Sequence, residues 1–163
     1  MLKKLWSNKP LIGLVIFSII VAILNPRFLS MANILNVLRQ TSINSIIAIG
    51  MTFVILTGGI DLSVGSILAF CGAVMAYLLN IGLEPVIALI ITLLLGMIFG
   101  FFNGFLVSVM KLQAFIVTLV TMTFLRGATL VFTNGKPITV RDGGMLFENI
   151  GDGYLFNIPI PIY

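Results

Sequence analysis

The chain has no histidine, a single cysteine, one tryptophan and only five acidic residues among its 163. Without histidine, neither a Ser/His/Asp nor a Cys/His nucleophile set can be assembled, and the commonest metal ligand is missing. No metal constellation is expected. Cys71 has no second cysteine with which to form an intrachain disulfide, and it reads as a small packing residue. The only Gly-Lys pair, Gly135-Lys136, is followed by proline and not by the hydroxyl residue that a phosphate-cradling loop needs. ATP hydrolysis by this chain is therefore not expected, nor is any bound cofactor. Asp142, Glu148 and Asp152 share one polar tail, where acidic side chains read as solvated surface.

Charge of either sign is scarce, at 9% of residues against 60% apolar, and the mean hydropathy is +1.21. That balance is far from a soluble domain and points to an integral membrane protein. The net charge of +4 comes from nine Lys and Arg spread along the sequence. They form no basic stripe with aromatic residues beside it, which sets nucleic acid aside as a partner.

Long apolar runs are abundant. Five stretches, near residues 11–24, 43–57, 62–79, 86–110 and 114–132, are candidates to cross a bilayer, whose hydrocarbon core of about 30 Å takes roughly 20 helical residues. The first is short and is preceded by Lys3, Lys4 and Lys9, as a secretory signal would be, but no small-x-small cleavage site follows it. It is read as an uncleaved span. None of the five alternates as a barrel strand does, and none has a clear amphipathic period. The expected fold is an all-α integral membrane protein of about five transmembrane helices. Residues 1–10 form the N-terminus, 11–133 the membrane domain and 134–163 a tail on the opposite side. The amino-terminal lysines and Lys111 share one side of this threading, which the positive-inside rule makes cytoplasmic. Arg27 and Arg39, assigned to the first outer loop, run against that rule.

One polar interruption stands out, the stretch TGGIDLSVGS from Thr57 to Ser66. Backbone groups freed by Gly58-Gly59 cannot be left bare in hydrocarbon, so the break belongs at an interface, within protein or beside a water-filled cavity. Asp61 has two compatible readings. It can cap the third helix through the amides of Ser63 or Val64, or it can take part with Ser63 and Ser66 in gating or substrate passage. Gly96, Gly100 and Gly104 form one small-residue row, and Gly65, Ala69 and Ala73 another. Both suit close helix packing, against each other or against a second chain. Asn103 beside the glycine row reads as an interhelical bridge or as a group on the path. Thr118, Thr121, Thr129 and Thr133 fall within an arc of about 120° on the fifth span, with Arg126 at its edge. This face is a pore lining, or else its threonines bond back to their own helix while Arg126 snorkels to the interface.

The stretch from Gly50 to Ser66 (GMTFVILTGGIDLSVGS) resembles the signature of the permease subunit of ribose-type ABC importers. Relatives of that subunit serve xylose, galactose and autoinducer-2. Similarity continues through Phe28 to Gln40 (FLSMANILNVLRQ), Phe102 to Val107 (FNGFLV), Ala114 to Gly127 (AFIVTLVTMTFLRG), Thr133 to Ile138 (TNGKPI) and Ile158 to Pro161. The resemblance implies a multi-pass protein of the bacterial inner membrane with its N-terminus in the cytoplasm. It also implies a translocation path shared with a second permease chain, a cytoplasmic ABC ATPase and a periplasmic sugar-binding protein. Such permeases have roughly ten spans in two halves, so the chain is expected to be the amino-terminal half, truncated or a fragment, and not competent alone. Lys136, Arg141, Asp142 and Glu148 lie where the binding protein would dock, or form an ordinary solvated loop. Two other function classes compatible with the residues alone are an ion-coupled secondary carrier and a non-transporting membrane scaffold.

Overall fold

The computed structural model describes residues 9–140, 151, 153–155 and 158–162. Its helices are α1 (Lys9–Leu24), α2 (Met31–Leu56), α3 (Val64–Asn80), α4 (Pro85–Ser108) and α5 (Ala114–Phe132), with a short 3-10 turn, Pro26–Leu29, between the first two. In the tail, β1 (Tyr154–Leu155) pairs antiparallel with β2 (Ile158–Pro159), Tyr154 opposite Pro159, and a 3-10 turn at Ile160–Ile162 follows. Three helices, α2, α4 and α5, are long and apolar enough to cross a membrane by length and composition, while α1 and α3 are apolar but shorter. The fold is the expected all-α membrane architecture.

The second helix differs from its sequence reading. The apolar stretch begins at residue 43, but α2 already starts at Met31 and carries Arg39, which had been assigned to an outer loop. Two features explain the earlier start. The Ser30 hydroxyl oxygen accepts from the Asn33 amide at 3.3 Å as an N-cap, and Asn33 Nδ2 in turn donates to the Phe28 carbonyl at 2.8 Å. No glycine or proline then occurs before Gly50, so nothing interrupts the helix. Hydropathy alone hides this portion because it is mixed in polarity. The guanidinium of Arg39 lies 5.4 Å from the Tyr154 ring centroid, so the tail covers this half of α2.

The packed centre is the trio α3, α4 and α5, with α3 against both of the others and Leu79, Ala88, Val117 and Leu125 buried between them. Phe70 meets Phe99 edge-on at 5.9 Å, and Tyr77 meets Phe132 at 5.4 Å. Large apolar side chains elsewhere, such as Phe101 and Phe124, point outward, as expected where the surroundings are lipid or other helices. Between α3 and α4 the chain turns at Gly82, whose φ of 81° suits glycine. Pro85 then opens α4, with the Glu84 carboxylate accepting from the Ile87 amide at 3.0 Å.

These contacts fix which ends lie together. The end of α3, the start of α4, the end of α5 and the tail share one end of the trio, where Asn80 Nδ2 donates to the Thr139 carbonyl at 2.9 Å. The polar interruption, the end of α4 and the start of α5 share the other. Lys3, Lys4, Arg141, Asp142 and Glu148 lie outside the described residues.

Candidate functional site

The glycine pair ends α2 by a specific hydrogen-bond pattern. Gly58 takes φ 75°, its amide donates to the Ile55 carbonyl at 2.9 Å, and the Gly59 amide donates to the Val54 carbonyl at 3.1 Å. This is the Schellman arrangement, which satisfies terminal carbonyls while reversing the chain. The Thr57 hydroxyl donates to the Val54 carbonyl at 2.7 Å. The Ile60 carbonyl, which no helix serves, lies 3.2 Å from the Thr118 hydroxyl of α5 and shares its one proton with the nearer Ala114 carbonyl.

From there a linear set of hydrogen bonds links three segments. The Thr121 hydroxyl donates to Asn103 Oδ1 at 2.6 Å, Asn103 Nδ2 donates to Ser63 Oγ at 2.9 Å, and the Ser63 hydroxyl donates to Asp61 Oδ1 at 2.6 Å. The same Asp61 oxygen accepts from the Ser63 amide at 2.7 Å. Ser63 is fully buried, Asn103, Thr118 and Thr121 are buried, and Asp61 is half-buried. Every donor points toward the carboxylate, so the set requires an acceptor at its end. The glycine pair stands beside Ala114 at the start of α5, and the interruption runs inward from there to Ser63, which Asn103 ties to Thr121 about two turns into α5. Protein groups thus bond the Ile60 carbonyl and the Ser63 amide and hydroxyl, which helps irregular backbone persist beside an apolar bundle.

The residues singled out in the sequence therefore divide into two groups. Asp61, Ser63, Asn103, Thr118 and Thr121 come together in the buried set; the hydroxyls of Thr118 and Thr121 turn into the bundle, and Thr118 also bonds back to Ala114 at 2.7 Å. Ser66, Arg126 and Thr129 face a separate cleft of about 450 Å³ between α3 and α5, for which Gly65 and Ala69 leave room and which Met122 closes on one side. Arg126 is exposed and has no hydrogen-bonded or ionic partner among the described residues. It sits just over three turns into α5, where a charge facing hydrocarbon costs about 2.5–3.5 kcal/mol on insertion scales. That cost favours water or a polar guest in the cleft. A second space of about 740 Å³ lies beyond the glycine pair, between Gly58 and Gly59 on one side and Phe101, Gly104 and Phe105 on the other.

The two small-residue rows do not mate with each other. A Cβ on Gly96 would lie 3.6 Å from Cys71 Sγ and 3.9 Å from Ile67, so α4 approaches α3 there, whereas Gly65, Gly100 and Gly104 face open space. Ala73 is half-buried on α3. Lys136 is exposed in the turn after α5, where Asn134 and Gly135 adopt positive φ. Of the cleft residues, Thr129 belongs to the face that the sequence places beside Arg126, whereas Met122 does not stand out there. The i, i+3 spacing of Arg126 and Thr129 is the signal that points to the first, and nothing in the sequence marks Met122.

A protein-family profile matches residues 33–146 and is described as "Branched-chain amino acid transport system / permease component". The ribose import permease protein RbsC of Haemophilus influenzae is 52% identical over 96% of this chain and 49% of its own length. The corresponding protein of Bacillus subtilis is 53% identical over 93% of this chain and 47% of its own, and that of Escherichia coli K12 is 44% identical over 98% and 51%. The chain thus spans about half the length of the curated relatives it matches, and the matched part is their amino-terminal half. No solved structure matches it significantly.

Proposed function

Since the chain belongs to the permease family described as components of branched-chain amino acid transport systems, we propose that it builds part of the membrane path of an ABC importer for a ribose-like monosaccharide. The observation that carries this reading is the helix interruption that runs inward from the start of α5 and is tied to α4 and α5 by buried hydrogen bonds through Ser63 and Asn103, next to a cleft bearing an arginine. A passive scaffold needs neither feature. The names of the most similar relatives supply the substrate class.

In this reading the chain is a transport subunit that breaks no bond in its substrate and holds no cofactor. A second permease chain completes the path, a cytoplasmic ABC ATPase hydrolyses ATP, and a periplasmic binding protein delivers the sugar. The protein is multi-pass in the bacterial inner membrane. Lys9 and Lys111 mark the cytoplasmic end, and the tail lies outside. Lys136, with Arg141, Asp142 and Glu148, contributes to docking of the binding protein; charge reversal there should weaken association at low salt, and unchanged affinity would refute that role. The substrate path runs along Ser66, Arg126 and Thr129, while Asp61, Ser63, Asn103, Thr118 and Thr121 hold the interruption in place.

The test is ATP-dependent uptake of labelled D-ribose into proteoliposomes holding the assembled importer. Asp61→Asn keeps an oxygen acceptor for Ser63 and should leave uptake near wild type, whereas Asp61→Ala removes the acceptor and should lower it. Uptake that needs no ATPase, driven instead by an ion gradient, would overturn the reading in favour of a secondary carrier.

A further inference from the structure

We infer that the first half of α2 presents a hydrogen-bonding seam, formed by Asn36, Gln40 and Asn44, for a transmembrane helix of the carboxy-terminal half that its relatives carry. The inference concerns assembly and stands whatever the substrate.

For a helix apolar enough to cross a membrane, α2 carries many polar side chains between Asn33 and Ser45. Most of them are already engaged. Asn33 donates to the Phe28 carbonyl, and the hydroxyls of Thr41, Ser42 and Ser45 donate to the carbonyls of Val37, Leu38 and Thr41, one turn back. Arg39 lies against the Tyr154 ring. Asn36, Gln40 and Asn44 are left: all three are exposed, and no hydrogen bond engages their carboxamides among the described residues. Spaced by four, they fall within an arc of about 80° and run about 12 Å along the helix, with Arg39 outside that arc. No residue of α2 is buried, so nothing among the described residues covers this face.

Each carboxamide brings two donors and one acceptor, and hydrocarbon satisfies none of them. Lipid is therefore a poor cover, above all for Asn44, which stands at the midpoint of α2 and beyond the reach of headgroups. Ile47 falls within the same arc and Val37 beside it. Apolar side chains thus alternate with amides, which is the pattern of a seam between helices and not of a water-lined wall. Length identifies the occupant. The relatives carry about as much chain again beyond the part that matches, and a span joined in the same polypeptide competes at a far higher effective concentration than a second copy of this chain. Since the seam is neutral, that span should offer uncharged hydroxyl or amide side chains toward it.

Competition tests the seam. The carboxy-terminal half of the Haemophilus influenzae relative, tagged and in limiting amount, is co-expressed with the full chain and with an altered chain, and recovered in mild detergent. Asn36→Leu, Gln40→Leu and Asn44→Leu together should lower the altered chain's share about twentyfold, the change that three interhelical hydrogen bonds of average strength make. Thr41→Val with Ser45→Ala, which removes hydroxyls that bond within α2, should leave the share unchanged. A second measurement does not depend on the triple variant folding. In a Cys71→Ala background, a nitroxide at Ile47→Cys should lose collisions with oxygen when the other half is present, and should gain none with a water-soluble nickel chelate. Equal shares for the triple variant, undiminished oxygen collisions, or failure of the unaltered chain to be recovered with the other half would each overturn the inference. Nickel collisions in the co-assembly would make the face a water-lined wall, and spin–spin broadening between two nitroxides there would make a second copy the occupant; either result also overturns it.

Discussion

Replacing Asn103 by alanine removes a side chain that hydrogen-bonds both the helix interruption and α5. Two hydrogen bonds disappear, at 2.9 Å to Ser63 and 2.6 Å to Thr121. Interhelical hydrogen bonds within membranes average about 0.6 kcal/mol and reach about 1.7, whereas a buried polar group left without a partner costs about 1–3 kcal/mol. Thr121 escapes that second cost, because its hydroxyl can turn back to its own helix as Thr118 does toward Ala114 at 2.7 Å. Ser63 keeps its bond to Asp61 but loses its incoming donor. The expected loss is therefore about 2 kcal/mol, most of it from the two bonds and the void at a site only 6% exposed. Thr121→Val should cost about 1 kcal/mol, because it strands Asn103 Oδ1. The double variant should cost less than the sum by roughly 0.6–1.7 kcal/mol, since both changes delete one shared bond. Reversible unfolding in mixed detergent micelles measures all three. Ser108→Ala is the control, as its 2.6 Å bond to Gly104 is exposed and within one helix. A cost for Asn103→Ala no greater than that control, or strict additivity with Thr121→Val, would refute the linked set.

Four further outcomes can be checked, three of them in the same assay. Gly58→Ala should destabilise by about 1–2 kcal/mol because φ is 75°, although the space around it is open. Gly59→Ala should be close to neutral, since its Cβ would meet Val54 and Ala114 no closer than 3.4 Å. Gly96→Leu should separate α3 from α4 by pressing on Cys71 and Ile67, whereas Gly100→Leu should leave that contact intact; crosslinking between cysteines on the two helices reads the difference. Glu84→Ala should cost about 1 kcal/mol through loss of the α4 cap, and Glu84→Asp should recover part of it.

Sequence pattern revealed some of this more clearly than the rest. Apolar runs of sufficient length disclose helices wherever hydropathy and helicity coincide, as in α5, whose neighbours Gln113 and Thr133 frame the run. They fail for the first half of α2, where the determinant is a serine cap and an absence of breakers, neither of which a hydropathy window registers. Helical spacing collected Thr118, Thr121 and Thr129 on one side of α5, but not the direction in which that side faces. Two of the three turn into the bundle and the third faces the cleft, because a partner 18 residues away and another 58 residues away decide the matter. The same applies to the glycine row of α4, where spacing shows a face suited to close approach and the position of Cys71 shows that, among the described residues, Gly96 uses it while Gly100 and Gly104 do not.

The directional bonds from Thr121 to Asp61 also impose an order of assembly during synthesis. Asp61 and Ser63 leave the ribosome first, Asn103 later and Thr121 last, so the short α3 enters the bilayer before the groups that satisfy its start exist. Until α4 inserts, that start has only its own turn for company and belongs near water. Emergence of α4 is thus the event that begins to draw the segment inward, and a chain arrested before residue 103 should leave Ser63 reachable from the aqueous phase.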